Sequence, residues 1–147
     1  MEKYYYSYDE FIEDTKILST KIKEYSPDTL VSIARGGLTL GHFISSSLNI
    51  RRIFTINSIH YNEEEKLNTF DIFNIPDLSD AKKVVLIDDI IDSGETMNEI
   101  INILRKQYPK CEFKIATIFY KSTAIIKADF QVKEATKWIE FFWEIDV

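Results

Sequence analysis

Cysteine is nearly absent: Cys111 stands alone among 147 residues, so no internal disulfide can form and a reducing cytoplasm is the expected home. Glycine and proline are also sparse, at four and three, and no Pro/Gly/Ser linker, repeat or low-complexity tract divides the chain. One domain over residues 1–147, long enough for a single substantial core, is the expectation. No apolar run approaches the length that spans a bilayer. The start, Met1-Glu2-Lys3-Tyr4-Tyr5, lacks the basic then apolar pattern of a secretory signal. Histidine occurs only at His42 and His60, neither with partners for a metal or nucleophilic site, and no Ser-x-x-Lys arrangement occurs, so covalent catalysis has no support. Basic blocks are missing too, and the net charge is −6, which argues against a nucleic-acid surface. An anionic ligand would have to be held by local devices: backbone N–H groups, one or two basic side chains and a divalent ion.

What is present is a regular alternation. Phe11, Thr15, Leu18, Ile22 and Tyr25 step by four and three, which predicts an amphipathic helix over residues 8–25, ended by Ser26-Pro27-Asp28. Thr29–Ala34 reads as a strand that stops at Arg35-Gly36-Gly37, Leu38–Leu48 as a short helix, and residues 51–60 as another strand. Residues 61–80 are polar and weakly patterned, acidic at Glu63-Glu64-Glu65, and read as an irregular lid. Val84-Val85-Leu86-Ile87 is a continuous apolar run, the mark of a strand covered on both faces. Met97, Ile100, Ile101 and Leu104 mark a helical face, and residues 113–120 a further strand. This alternation predicts an α/β domain with a mostly parallel twisted sheet flanked by helices, its ligands at the carboxyl ends of the strands.

The most informative segment is Asp88-Asp89-Ile90-Ile91-Asp92-Ser93-Gly94-Glu95-Thr96, where the buried strand runs into paired carboxylates and then a small-residue turn opening a helix. Such a turn suits a phosphate: Gly94 allows close backbone approach, the first helical N–H groups point outward, and Ser93 and Thr96 add hydroxyls. Positive partial charge at the helix start attracts the anion without Lys or Arg. Asp88 and Asp89, on consecutive extended residues, are expected to point apart and need not share a metal. Either could hold ribose hydroxyls, and one could reach Mg²⁺ directly or through water. A plain helix cap at Ser93 or Asp92 would explain one residue and leave the paired acids unexplained.

This segment resembles the signature by which type I phosphoribosyltransferases bind phosphoribosyl pyrophosphate (PRPP). Arg35-Gly36-Gly37-Leu38 resembles their pyrophosphate loop. Lys121, with Trp138-Ile139-Glu140 and Trp143-Glu144, resembles the base-binding tail of bacterial xanthine-guanine phosphoribosyltransferases. The matches fall in the family's order from about residue 29 to the end.

The resemblance implies a type I phosphoribosyltransferase fold with a small hood built from the C-terminal segment, residues 121–147. It also implies roles for the residues. Arg35, Gly36 and Gly37 would grip pyrophosphate, the glycines turning backbone N–H groups to its oxygens. Asp88 and Asp89 would take the ribose hydroxyls, with Asp89 in the Mg²⁺ shell. Ser93, Gly94, Glu95 and Thr96 would cradle the 5′-phosphate, and Ile90 and Ile91 belong to the same PRPP-binding segment. Asp92 would be the general base at purine N7, and it favours 6-oxopurines because related adenine, orotate and uracil enzymes usually carry a non-acidic residue there. Lys121 would donate to O6, Trp138 would stack on the base, and backbone near Ile139 and Glu144 would meet the 2-substituent. Departures from the family pattern are Glu95 in place of glycine, Ser122-Thr123 after Lys121, a short tail, and His60 in place of a serine ahead of the acidic lid. Lys66 would stand in for a basic lid residue that meets pyrophosphate.

The function implied is purine salvage: PRPP plus guanine, xanthine or hypoxanthine, with Mg²⁺, to the nucleoside 5′-monophosphate. Competing readings are a non-catalytic PRPP-sensing regulator of the same fold and a phosphoribosyltransferase for another base. The Tyr4-Tyr5-Tyr6 run reads as exposed aromatic surface for subunit contacts, and the family favours dimers or tetramers.

Overall fold

A computed structural model describes residues 2–61 and 69–147. In chain order the elements are β1 (Lys3–Tyr6), α1 (Tyr8–Tyr25), β2 (Thr29–Ala34), α2 (Leu38–Leu48), β3 (Ile53–Tyr61), β4 (Thr69–Phe73), β5 (Lys83–Ile91), α3 (Glu95–Gln107), β6 (Glu112–Tyr120), β7 (Lys133–Glu134) and β8 (Trp138–Phe141). Strands β4-β3-β2-β5-β6-β7 form one six-stranded sheet, parallel except for β4, which runs antiparallel along β3.

The apolar run in β5 is covered on both faces, as its composition demands. Val85 and Ile87 pack with Leu18 and Ile22 of α1 and Leu40 and Ile44 of α2. Val84 and Leu86 face the other way, onto Met97, Ile100, Ile101 and Leu104 of α3. Strand alternation thus sends successive residues into two separate apolar cores, giving three layers. Helix α1 begins at the Ser7 cap, whose side chain accepts from Glu10 N–H, and ends where Ser26 turns left-handed.

The functional end of the sheet follows from a mismatch in strand length. Pairing between β2 and β5 ends at Ser32 and Ile87, whereas β5 runs on to Ile91 with only β6 beside it. The strand is therefore longer than the 84–87 apolar run, and Asp88 to Ile91 belong to it. Their β2-side edge is left to face the loop that leaves β2. The crevice at the carboxyl ends of parallel strands lies there.

Two sequence expectations about the architecture are corrected. Residues 61–80 are not wholly irregular, because Thr69–Phe73 forms β4, a hairpin partner of the preceding β3; its five residues alternate between exposed and half-buried, too short a run to stand out within the polar stretch. The acidic residues 63–65 and Lys66 lie outside the described residues. The small second sheet is not built from the C-terminal segment alone: β1 pairs in parallel with β8, so both ends of the chain make it.

The tyrosine run is corrected as well, since only Tyr5 is exposed. Tyr6 is 0% exposed, edge-on to Phe11, Phe119 and Phe141, and its hydroxyl donates to Asp14 at 2.6 Å. Lys133 closes the same carboxylate at 3.0 Å. Burial first, and the Asp14 hydrogen bond second, push the Tyr6 phenol far above its ordinary pKa, so it stays a donor throughout the working range. Tyr6→Phe removes that donor and leaves buried Asp14 under-satisfied; it will cost about 1–3 kcal/mol, read as a lower urea midpoint at constant slope.

Candidate active site

The pyrophosphate-type loop leaves β2 through a cis Ala34–Arg35 peptide and turns beneath the end of β5. A side chain at Gly37 would collide with the Ile87 carbonyl, so the absent Cβ is what lets the loop lie against β5. Gly37 N–H donates to Ile33 O at 2.8 Å. That N–H is committed to the fold, whereas the sequence expectation had it turned to pyrophosphate oxygens. Gly36 N–H has no backbone partner among the described residues, and exposed Arg35 and half-buried Gly36 line the crevice.

Asp88 and Asp89 converge rather than diverge. A methyl group at Gly36 would stand 2.8 Å from both Asp89 carboxylate oxygens and 2.9 Å from Asp88 Oδ1. Asp89 N–H donates to Asp88 Oδ1 at 2.8 Å, folding the first side chain back over the second residue. The ladder to β6 keeps its register across this point, from Asp88–Thr117 to Ile90–Phe119, without an Asp89 pair. The site raises both carboxyls above the ordinary range, Asp88 well above it. For Asp88 the causes are burial and then the Asp89 charge; for Asp89 they are burial, with Glu144 adding repulsion. Neither is in an ion pair among the described residues, so the fold concentrates negative charge here without balancing it.

The turn after β5 opens α3. Gly94 is the cap residue at φ +88°, left-handed, with no side chain to satisfy the first N–H groups. The Ser93 hydroxyl accepts from Glu95 N–H at 3.3 Å, a long contact. Behind the turn, Ile125 N–H donates to Ser93 O at 2.8 Å, and any Cβ on Gly94 would stand 3.0 Å from Ile126. The turn is thus held from below by residues 125–126.

Two cavities meet at this point. One, of about 590 Å³, is walled by Arg35, Gly36, Ser58, His60 and the 88–97 segment. The other, of about 460 Å³ and more apolar, is walled by Lys121, residues 135–139, Phe141 and Glu144. Asp89, Ile90 and Asp92 belong to both. At the junction Lys121 Nζ lies 2.7 Å from Asp92 Oδ1, with side chains 38% and 66% exposed. An ion pair so exposed adds little to stability, so its significance is chemical: a donor and an acceptor presented side by side. Trp138 lines the second cavity with 55% of its surface free, while Ile139, also lining it, is buried.

Every described residue expected to act lies on one of these cavities, apart from the tightly packed Gly37. The sequence reading missed Thr136, Lys137 and Phe141 in the second cavity and Ser58 in the first. Thr136 and Lys137 directly precede Trp138, and that adjacency was the available signal. Ser58 carried none. Among the described residues no group of three or more His, Cys, Asp or Glu side chains is arranged to hold a metal.

A family model described as phosphoribosyl transferase domain matches residues 6–147. The xanthine-guanine phosphoribosyltransferase of Desulfotalea psychrophila is 31% identical, over 95% of this chain and 85% of that protein. Among solved structures, the Helicobacter pylori xanthine-guanine-hypoxanthine phosphoribosyltransferase superposes with a TM-score of 0.91 at 35% identity, covering 98% of this chain and 95% of that one. A purine phosphoribosyltransferase from Pyrococcus horikoshii gives 0.85 at 30% identity, covering 100% and 98%.

Proposed function

This chain belongs to the phosphoribosyl transferase family, and from that premise we propose that it transfers the phosphoribosyl group of PRPP to N9 of a 6-oxopurine. The products are the nucleoside 5′-monophosphate and pyrophosphate. The observation that carries the reading is the Lys121–Asp92 pair at the junction of the two cavities. A 6-oxopurine presents O6 and N7 on one edge. Lys121 Nζ donates to O6, and Asp92 takes or shares the N7 proton as N9 attacks the ribose carbon. Adenine would set an amino donor against the Lys121 donor, leaving both unpaired in a confined site. Trp138 offers its free face for stacking.

PRPP occupies the more polar cavity in this reading, with its 5′-phosphate at the Ser93–Thr96 turn and its pyrophosphate at Arg35 and Gly36. The converging, unbalanced Asp88 and Asp89 carboxylates fit a divalent cation. Asp89 would hold Mg²⁺, directly or through water, and the ion when bound supplies charge neutralisation to the departing pyrophosphate. The titration shifts agree, because a carboxylate pair that resists ionisation alone is stabilised by a cation. No helix among the described residues is long and apolar enough to cross a membrane. A cytoplasmic enzyme assembled as a dimer or tetramer completes the reading.

Product formation with PRPP and Mg²⁺, offering guanine, xanthine, hypoxanthine and adenine separately, tests it. Turnover of 6-oxopurines with rejection of adenine is expected, and Lys121→Met will narrow that preference by about tenfold or more. PRPP binding without turnover of any base would replace the enzyme with a PRPP-sensing regulator.

A further inference from the structure

We infer that the amino-terminal strand β1 is a positioning element for the base: its backbone holds the β8 wall of the second cavity, and with it Trp138, in place. The inference rests on the base-transfer reading and goes beyond it, since Lys3, Tyr4 and Tyr5 precede the segment that the family model matches.

Strand β8 is paired with β1 and with no other strand among the described residues. Its residues alternate: Ile139 and Phe141 are buried in the core with Tyr6 and Phe119, whereas Trp138 and Glu140 are exposed. The strand is therefore anchored by one apolar face and one ladder. Trp138 N–H donates to Glu2 O at 3.3 Å and Phe142 N–H to Tyr6 O at 3.0 Å, at the two ends of the ladder. Between them the parallel register pairs Tyr4 with Ile139. In a parallel ladder alternate residues turn their N–H and C=O to the partner, so Tyr4 and Tyr6 address β8 while Lys3 and Tyr5 address the outer edge. Tyr4 N–H accordingly serves the Trp138 carbonyl, next to the stacking residue. A side-chain contact adds to this, as Lys137 Nζ meets the Glu2 carboxylate at 3.2 Å. None of the residues around the more polar cavity belongs to β1. Loosening β1 should therefore weaken the base and spare PRPP.

The alternation supplies its own control. Tyr4→Pro deletes an N–H that faces β8, Tyr5→Pro deletes one that faces outward, and Tyr4→Ala removes the side chain but keeps the N–H. Steady-state kinetics with a 6-oxopurine and PRPP, alongside thermal melts, are the measurement. Tyr4→Pro should raise KM for the base about tenfold with KM for PRPP within about twofold, and the two controls should keep both constants within about threefold. Deleting Glu2 and Lys3, which leaves Met ahead of Tyr4, removes the acceptor of Trp138 N–H while sparing Tyr6. It should raise the base KM about fivefold, beyond the range of the controls, and it decides the matter if Tyr4→Pro does not fold. An unchanged base KM in the folded variants, or equal rises in both KM values, overturns the positioning role and leaves the enzyme reading standing. Absence of turnover by the wild-type protein sinks both.

Discussion

Asp92→Asn will lower kcat by about 10²–10⁴ for every base the protein uses, the range expected when a positioned proton acceptor is lost. The substitution is nearly isosteric and the position is exposed, so the fold will not register it. What changes is the junction of the two cavities. The carboxylate that stands 2.7 Å from Lys121 Nζ becomes an amide, which cannot take the N7 proton and no longer balances the ammonium. In the proposed reading Lys121 and Asp92 grip adjacent atoms of one base, so their effects should not add. Asp92→Asn combined with Lys121→Met will cost less than the product of the two single losses. Single-turnover rates at saturating PRPP, with a melting curve for each variant, check this. Asp92→Asn at wild-type rate would remove Asp92 from the chemistry.

Asp89→Asn is expected to move activity and stability in opposite directions. Turnover falls by about 10²–10³, as for the loss of one preorganised electrostatic contact, because the proposed cation and ribose site loses a carboxylate. The protein without PRPP and Mg²⁺ becomes more heat-stable, because one of two half-buried, mutually repelling carboxyls is neutralised. Each kcal/mol of relief is worth about 2–4 °C in Tm at this size. The pH dependence follows from the direction of the shifts. The folded state binds these protons more tightly than the unfolded state does. Wild-type stability is therefore least penalised near the ordinary carboxylate pKa of about 4, and falls as pH rises from there through the raised folded values. Asp89→Asn flattens that slope, and so does Mg²⁺ with PRPP in the wild type. Melts between about pH 5 and 8 read all three effects. A variant less stable than wild type across this range would show that Asp89 serves the fold.

Much of the architecture was legible because it is local. The four-and-three stepping from Phe11 to Tyr25 described α1 to its ends, and the apolar run at 84–87 marked β5 as a strand covered on both faces. The turn from Asp92 to Thr96 announced itself by residue type, since little besides glycine accepts the backbone of Gly94. Lys121 and Trp138 were found only through resemblance. Nothing in the spacing of 29 residues between Asp92 and Lys121 says that the two side chains touch.

The chain's own order of residues determined its helices, its central strands and the phosphate-type turn, each set by periodicity or backbone freedom within a few neighbours. Tertiary structure alone decided that Asp88 and Asp89 converge, that Gly37 serves packing, that Tyr6 is core, and that β1 returns to hold β8. Those outcomes depend on which strand edge is left unpaired and which distant segment fills it. Such choices are made by burial and hydrogen-bond completion over the whole molecule, and they leave no periodic trace in any short stretch of sequence.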